Sequence, residues 1–289
     1  MSEISRAGRT IAVHDLTPDS PADAPVVLLC HVAPGSGSFD PDPDVTAAAG
    51  VRLITLDRPG YGGSDPVKDG FATIGSAADD AAAVLADVLP PGATAGVAGW
   101  SAGGRVALAL AARHPELVGR VTVIATPAPD EEVPWYGDEN RAMIDALRGL
   151  PPGEAVAQLT AVFEDMLAGA GDDALLGLAG AAEADREVLT EPVRERLRGM
   201  LDAAMAQGVT GMVADLAGYT LADRGFTPAQ VSADILLAYG ADDVLVPPAH
   251  GEWYRAQLPS AELELWPAVG HLVVVPAWRR VLDHLLRVA

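Results

Sequence analysis

Between a run typical of a strand and a run typical of a helix lies the sequence Ala98-Gly-Trp-Ser-Ala-Gly-Gly104. It fits the pattern G-x-S-x-G, in which a sharp strand-to-helix turn brings the backbones on either side of the serine close together. Gly99 and Gly103 supply the small residues that such a turn requires. The pattern predicts a strained Ser101 with an exposed hydroxyl, at a helix N-terminus that favours developing negative charge.

Outward from this turn, short apolar runs alternate with alanine-rich runs. The apolar runs predict strands at 26–30, 51–56, 95–100 and 121–125, and continuous apolar strands are typical of sheets that are buried on both faces. The alanine-rich runs predict helices at 76–89, with Ser76 as N-cap, and at 102–113. This alternation indicates βαβ units and a mostly parallel central sheet flanked by helices, an α/β fold.

The pattern changes at about residue 130. From 130 to 226 strand-like runs disappear, and helical runs occupy 154–167, 193–206 and 211–216. Strand-like runs return at 235–239 and 263–266, with helical runs at 250–258 and 278–288. We therefore predict an α/β core made of residues 1–129 and 227–289, interrupted by a helical insertion, residues 130–226.

The composition is that of a globular protein. The chain has 289 residues, of which 49% are hydrophobic and 20% charged. Its single cysteine, Cys30, excludes an internal disulfide and any site with several cysteine ligands. The first ten residues lack the apolar core of a signal peptide, and long apolar stretches free of charge, glycine and proline are absent from the sequence. These features predict a soluble, cytoplasmic protein.

The charge balance is strongly acidic. Forty acidic residues against 19 basic ones give a net charge of −21. Binding to phosphate backbones requires a basic face, so nucleic acids and anionic membranes are excluded as favoured partners. The helical insertion alone carries 19 acidic and 7 basic residues. This negative charge predicts a substrate that is neutral or cationic.

A serine hydroxyl is a weak nucleophile and needs a base that is oriented by a carboxylate. Among the six histidines, His271 follows the last predicted strand and therefore lies at the same sheet edge as Ser101. Asp242 and Asp243 follow the preceding strand and reach the same edge, and position alone does not choose between them. The remaining histidines are His14, His31, His114, His250 and His284.

Four runs in this order resemble the α/β-hydrolase superfamily. They are 28–36, 57–65 (Asp-Arg-Pro-Gly-Tyr-Gly-Gly-Ser-Asp), 99–103, and 240–247 together with Gly270-His271. The likeness is to the capped group of small esterases, cofactor-free haloperoxidase-type enzymes and proline iminopeptidases, and the insertion matches the position of their helical cap. The family pattern G-x-x-D-x-x-V-P selects Asp243 as the acid, and the chain order Ser, Asp, His is the family's own.

The resemblance also implies an oxyanion hole made by the backbone N–H groups of Ala33 and Ala102. Here the chain departs from the family, because His31 is followed by Val32 where glycine is usual. His31 is expected to hold this loop rather than to act in catalysis, and Cys30 to be a small buried residue. Because the nucleophile is serine, acyl transfer is expected rather than the alkyl-enzyme chemistry of dehalogenases and epoxide hydrolases.

Aromatic residues of the insertion are candidate pocket walls, with core packing as the alternative reading of each. They are Trp135, Tyr136 and Phe163, to which we add Trp100 beside the nucleophile, with packing beneath the turn as its alternative.

The expected function is a serine hydrolase of small esters or lactones, with no metal and no cofactor. One alternative is an aminopeptidase resembling proline iminopeptidase, in which Glu131 and Glu132 hold a substrate ammonium. Another is a small-molecule receptor or binding protein with little turnover, which the altered His31-Val32 pair favours.

Overall fold

A computed structural model describes residues 1–169 and 171–287. In this part of the chain one sheet contains eight strands. They are β1 (Ser2–Arg6), β2 (Arg9–Asp15), β3 (Val26–Cys30), β4 (Arg52–Leu56), β5 (Ala95–Trp100), β6 (Val118–Ile124), β7 (Asp234–Gly240) and β8 (Ala261–Trp266). The spatial order is β1-β2-β4-β3-β5-β6-β7-β8. Only the pairs β1–β2 and β2–β4 are antiparallel, and every other pair of described strands is parallel. The predicted mostly parallel α/β sheet is confirmed.

Ten α-helices accompany the sheet in the described residues. They are α1 (Pro43–Ala49), α2 (Ile74–Val88), α3 (Ala102–Arg113), α4 (Asp138–Leu147), α5 (Pro152–Leu167), α6 (Asp172–Leu178), α7 (Glu191–Ala204), α8 (Thr210–Thr220), α9 (Ala249–Gln257) and α10 (Val274–Leu285). None of the helices within 1–169 and 171–287 combines the length and the apolar character that crossing a membrane requires.

Helices cover both faces of the sheet. Along β5, Val97 packs with α2 and α3 in one apolar cluster, whereas its neighbour Ala98 packs with α1 and α10 in a second cluster. Successive strand residues point to opposite faces, so a strand that is apolar throughout serves both clusters. All six residues of β5 are buried, which fixes the position of the turn that follows it.

The predicted strands 26–30 and 95–100 and the helix 102–113 are confirmed to the residue. The helix predicted at 76–89 begins instead at Ile74, because the Thr73 side chain accepts the N–H of Ser76 at 3.0 Å and is the N-cap. Strands β1 and β2 were not predicted, because they mix polar and apolar residues; they pair antiparallel at the sheet edge. The last helix was predicted to reach position 288, which lies outside the described residues; α10 ends at Leu285.

Between β6 and β7 the described residues form helices α4 to α8 and no strand. The helical insertion therefore follows β6 directly and returns the chain to β7, the next strand in the sheet. Gly218 of α8 lies so close to the segment before α2 that an added Cβ would be 1.8 Å from the carbonyl oxygen of Ala72. Because only glycine permits this approach, α8 can pack directly on the segment that leads into α2.

Candidate active site

Ser101 lies in the sharp turn between β5 and α3. Its φ of 55° and ψ of −120° are a strained conformation for a residue with a side chain, and its N–H donates to the carbonyl of Ile124 at 2.7 Å. A Cβ on Gly99 would be 2.4 Å from the carbonyl oxygen of Gly103, and one on Gly103 would be 2.1 Å from that of Cys30. The turn therefore requires both glycines, for the physical reason that the sequence pattern implied.

Asp243 and His271 meet at the carboxyl edge of the sheet. His271 Nδ1 lies 2.8 Å from Asp243 Oδ2, and both side chains are buried. The other oxygen, Oδ1, accepts the N–H groups of Leu245 at 2.9 Å and Val246 at 2.8 Å. Asp242 is exposed and has no contact of this kind in the described part of the chain.

The second ring nitrogen of His271 is free to act. With Nδ1–H donated to the carboxylate of Asp243, the lone pair of the imidazole lies on Nε2. Nε2 is buried and has no hydrogen-bond partner among the described residues, Ser101 included. Hydrogen bonds between a nucleophile and its base are often long until substrate binds. The arrangement can therefore accept a proton from a group that approaches Nε2.

Each of the other five histidines contacts another polar group of the protein. His14 and His114 contact carboxylates, those of Asp57 and Asp79 respectively. His250 accepts the N–H of Ala128, and His284 contacts the carbonyl of Asp234. His31 contacts Val32 and Arg58.

The loop after β3 is held by a buried arginine. The guanidinium of Arg58 donates to the carbonyls of His31 and Val32, and the N–H of Arg58 donates to His31 Nε2 at 3.2 Å. His31 Nδ1 then donates to the carbonyl of Val32 at 2.7 Å, which is the pattern of a neutral ring. Burial and the charge of Arg58 lower the pKa of His31 well below its usual value. His31 thus organises this loop, as its sequence context implied.

The same arginine ties the loop to the insertion. Arg58 donates from Nε to Asp215 Oδ1 at 3.1 Å and from Nη2 to Asp215 Oδ2 at 2.6 Å, so the pair is bidentate. Asp215 belongs to α8, and both side chains are buried. No sequence pattern predicts this pairing, although Arg58 stands in one of the family motifs.

Ala33 and Ala102 lie with Ser101 on the wall of one cavity of about 230 Å³. Within the described residues, neither backbone N–H donates a hydrogen bond to the protein. Trp135, Tyr136 and Phe163 line the same cavity, so the structure places these predicted pocket residues beside Ser101.

Trp100 is a correction to the predicted pocket. It is only 1% exposed and is not among the residues that line the cavity. Its Nε1 donates to the carbonyl of His271 at 3.0 Å, and its ring packs against Phe39 and His271. The side chain of the strand residue before Ser101 points to the opposite face, so Trp100 supports His271 from within the core.

Three further residues singled out in the sequence lie outside this cavity. Burial raises the pKa of the Cys30 thiol to about 12, so Cys30 is an inert core residue. Glu131 forms an ion pair with Arg224, and Glu132 accepts from Trp253 Nε1 at 3.4 Å. Neither glutamate reaches the wall of the cavity that contains Ser101.

A second carboxylate, from the insertion, holds the loop of His271. Asp185 Oδ1 accepts the N–H groups of Gly270 at 2.9 Å and Leu272 at 3.1 Å, one on each side of the histidine. Its other oxygen accepts the N–H of Ala182 at 3.1 Å. Burial raises the pKa of Asp185, while these N–H donors oppose the rise. Asp185 was not predicted, because no motif distinguishes it from the other acids of the insertion.

Gly180, a residue of the insertion, packs closely against the ring of His271. An added Cβ would lie 2.3 Å from Cδ2 of the His271 ring, and the residue has a φ of +92°. Both the space and the backbone conformation favour glycine at this position.

In the part of the chain that the structure describes, His, Cys, Asp and Glu side chains form no group of three or more that could hold a metal ion.

The family model of the alpha/beta hydrolase fold matches residues 25–276. The chain belongs to the α/β-hydrolase family. This α/β-hydrolase is 32% identical over 197 residues to a pimeloyl-[acyl-carrier protein] methyl ester esterase of Chromobacterium violaceum, covering 67% of this chain and 68% of the relative. It is 29% identical to the protein of the same name from Aromatoleum aromaticum, covering 61% of this chain and 66% of the relative. The matches thus span about two thirds of these relatives.

A solved structure with the same fold is the enol-lactonase from Burkholderia xenovorans. The two structures superpose with a TM-score of 0.70 over 99% of this α/β-hydrolase and 100% of the enol-lactonase. The sequence identity is 21%, so this likeness concerns the fold alone.

Proposed function

We propose that this α/β-hydrolase cleaves a small ester or lactone through an acyl-enzyme intermediate on Ser101. One observation carries the proposal: the 2.8 Å contact between His271 Nδ1 and Asp243 Oδ2, which leaves Nε2 unpartnered at the edge of the sheet where Ser101 lies. The names of the relatives, which are methyl ester esterases and an enol-lactonase, agree with this class of substrate.

In the first half of the proposed reaction, Ser101 Oγ attacks the carbonyl carbon while Nε2 of His271 takes the hydroxyl proton. Asp243 stabilises the imidazolium that forms and keeps the ring oriented. The negative charge on the carbonyl oxygen is stabilised by the unpaired N–H groups of Ala33 and Ala102, and the N-terminus of α3 adds to this effect. The C–O bond of the leaving group then breaks, and Nε2 returns the proton to the departing alkoxide.

In the second half, water attacks the acyl carbon and gives a proton to Nε2 of His271. The same N–H groups stabilise the second tetrahedral intermediate. Collapse breaks the bond to Ser101 Oγ, which recovers its proton from Nε2, and the carboxylic acid leaves. A lactone follows the same course, except that the leaving alcohol remains part of the product.

The cavity supports a small substrate. A volume of about 230 Å³ is smaller than that of most ligand pockets, which have about 300 to 1,000 Å³, and much of the wall is apolar. Asp215 is the one acidic residue on this wall in the described chain, and its charge is paired with Arg58. The net negative charge of the insertion therefore does not determine which substrates fit beside Ser101. We propose that the part of the substrate that reacts there is uncharged.

The test is release of 4-nitrophenol from short acyl esters by the wild type and by Ser101→Ala. We expect the substitution to reduce kcat by at least about 10³-fold, because the nucleophile is lost. Ser260→Ala, an exposed serine bonded to Asp234, is the matched control and should retain full activity. A fluorophosphonate probe should label Ser101 in the wild type, as shown by peptide mass.

Two results would contradict the proposal. If Ser101→Ala retained the wild-type rate, the nucleophile would be another group. If a proline arylamide were cleaved in preference to every ester, the aminopeptidase alternative would replace it. Absence of Ser101-dependent turnover on both substrate classes would favour a binding protein.

A further inference from the structure

Three arginines are buried in the described chain, and two of them are paired with aspartates. Arg9 is 7% exposed and contacts Asp80 at 2.7 Å, and Arg58 is 3% exposed and contacts Asp215 at 2.6 Å. Arg105 is 9% exposed and has no ion-pair partner among residues 1–169 and 171–287. A buried charge is costly unless it is paired, so the lone cation of Arg105 requires an explanation.

The hydrogen bonds of Arg105 leave part of its guanidinium unused. Nε donates to the carbonyl of Pro127 at 3.0 Å and Nη2 donates to that of Ala128 at 3.2 Å. These two bonds fix the plane of the group, but a guanidinium has five N–H donors. Nη1 has no acceptor within hydrogen-bonding distance in the described part of the protein, although the Arg105 side chain interacts with the Tyr254 hydroxyl and opposes the rise that burial causes in the pKa of Tyr254. The two carbonyls thus hold Arg105 in place without neutralising its charge.

Two buried donors without acceptors belong to residues that line the same cavities as this group. Trp135 Nε1 and Tyr219 Oη are buried and have no hydrogen-bond partner among the residues described. The guanidinium lies 5.8 Å from the centre of the Tyr219 ring. Buried donors in native proteins are nearly always satisfied, so two unsatisfied donors on residues that line the same cavities as Arg105 point to an acceptor supplied by a ligand.

Arg105 lies close to the nucleophile and at the junction of two cavities. It lies in the first turn of α3, four residues after Ser101, and both residues line the cavity of about 230 Å³. Arg105, Trp135 and Tyr219 line both the cavity that contains Ser101 and a second cavity of about 650 Å³. A substrate bound at Ser101 can therefore extend to Arg105.

The nearby acids are already satisfied. Asp215 is held by Arg58, as described above. Asp130, on the wall of the larger cavity, accepts from Arg141 Nε at 3.0 Å and from the N–H groups of Trp135 and Tyr136 at 2.8 and 2.9 Å. The other acids on that wall also have partners: Glu131 contacts Arg224, Asp145 contacts Arg148, and Asp223 accepts the N–H of Gly225. None of these carboxylates forms an ion pair with Arg105.

We propose that Arg105 binds a carboxylate at the end of the substrate remote from the scissile bond, with Trp135 Nε1 and Tyr219 Oη as further donors. The substrate class is then a monoester of a dicarboxylic acid or a lactone that bears a carboxylate. A planar guanidinium matches a carboxylate with two parallel hydrogen bonds. This proposal rests on the proposed function. It differs from the neutral or cationic substrate that the acidic insertion predicts, because the cation of Arg105 lies on the cavity wall.

The test compares two esters of equal length, the 4-nitrophenyl monoester of adipate and the corresponding ester of adipamate, whose terminal group is an uncharged amide. The wild type should prefer the carboxylate in kcat/KM. Arg105→Met should lower the ratio of carboxylate to amide by about 10- to 100-fold, the effect of losing a hydrogen bond to a charged group. Arg113→Met removes the same charge from the exposed end of α3 and should leave the ratio unchanged. A wild type with no preference, or an unchanged ratio in Arg105→Met, overturns the proposal.

A second variant guards against a folding defect in Arg105→Met. Trp135→Phe keeps the aromatic wall and removes only the unsatisfied N–H, so the ratio should fall by about two- to tenfold. An unchanged ratio in Trp135→Phe removes this residue from the proposed site.

Binding separates this proposal from the proposed function. Adipate should raise the Tm of Ser101→Ala, adipamide should not, and the effect of adipate should vanish in the double variant with Arg105→Met. Adipate binding without ester turnover by the wild type would refute the serine hydrolase and retain the carboxylate site. Ser101-dependent turnover of neutral esters without adipate binding would refute the carboxylate site alone.

Discussion

Two carboxylates hold the loop that carries His271, and they come from different parts of the chain. Asp243 follows β7 of the core and contacts the imidazole itself at 2.8 Å. Asp185 belongs to the helical insertion and contacts the backbone N–H groups on both sides of the histidine, at 2.9 and 3.1 Å. The first orients a ring and the second orients the backbone that bears it.

The difference between Asp243 and Asp185 shows that the core and the insertion contribute different kinds of groups to the candidate site. The core supplies the groups that would exchange protons and bonds, and the insertion supplies contacts that restrict where those groups can be. Arg58 and Asp215 show the same division at a second loop, since Asp215 of α8 holds the loop after β3 through Arg58. We therefore expect core substitutions to affect chemistry most and insertion substitutions to act through position.

The largest effect is expected for Asp243→Asn. The N–H groups of Leu245 and Val246 would hold the amide oxygen, so the NH₂ group would face His271 Nδ1 and donate to it. The ring would then carry its proton on Nε2, the wrong tautomer for a base, and kcat should fall by about 10⁴-fold. The measurement is kcat with a 4-nitrophenyl ester.

Asp242→Asn is the matched control, since it makes the same chemical change at the exposed neighbour. It should retain wild-type kcat. Loss of activity in Asp242→Asn with a fully active Asp243→Asn would show that the acid is Asp242.

The core half of this arrangement was predictable because its signals are local. The strand ends, the glycines at 99 and 103 and the order of Ser101, Asp243 and His271 follow from short patterns and from the rule that parallel strands end at one edge. The structure also explains the choice of glycine, through contacts of 2.1 to 2.4 Å that an added Cβ would make.

The insertion half was not predictable because its contacts join distant residues. Asp185 meets Gly270 across 85 positions, and Arg58 meets Asp215 across 157. Helical periodicity identifies an apolar face, but it does not tell which of many acids on the polar side will be buried. Trp100 was misassigned for a related reason: its neighbour in sequence lines the cavity, while its own side chain packs in the core.

Asp185→Ala tests the positioning role and should have an intermediate effect. It removes the acceptor of three backbone N–H groups, so the His271 loop can shift, and displacement of a catalytic group by about 1 Å costs about 10²-fold in rate. We expect kcat to fall by about 10- to 100-fold with little change in KM. Asp185→Asn retains one oxygen for the N–H groups of Gly270 and Leu272 and should recover much of the loss.

Glu187→Ala, an exposed acid two residues away, is the control and should be fully active. Equal loss of kcat in Asp185→Asn and Asp185→Ala would mean that the charge of this carboxylate matters rather than its position. A change in KM alone would place Asp185 in substrate binding.

The smallest expected effect is a change in how the free energy of unfolding depends on pH, and it involves His250 of α9. Burial lowers the pKa of His250 to about 4, assisted by the charge of Arg105 and opposed by Asp243 and Asp130. Between the unfolded value of about 6.5 and this folded value, the unfolded chain binds a proton that the folded chain does not. The free energy of unfolding should therefore decrease as the pH falls from above 6.5 towards 4, and His31, whose pKa is also lowered, should add to the slope.

His250→Asn separates this contribution from the rest. The asparagine oxygen can accept the N–H of Ala128, as His250 Nδ1 does at 3.0 Å, but the amide does not titrate. Urea unfolding at about pH 7 and about pH 4.5 should show a smaller loss of stability in the variant than in the wild type. An equal or larger loss in His250→Asn would mean that the folded and unfolded chains bind a proton at His250 equally, so that burial and Arg105 do not lower its pKa.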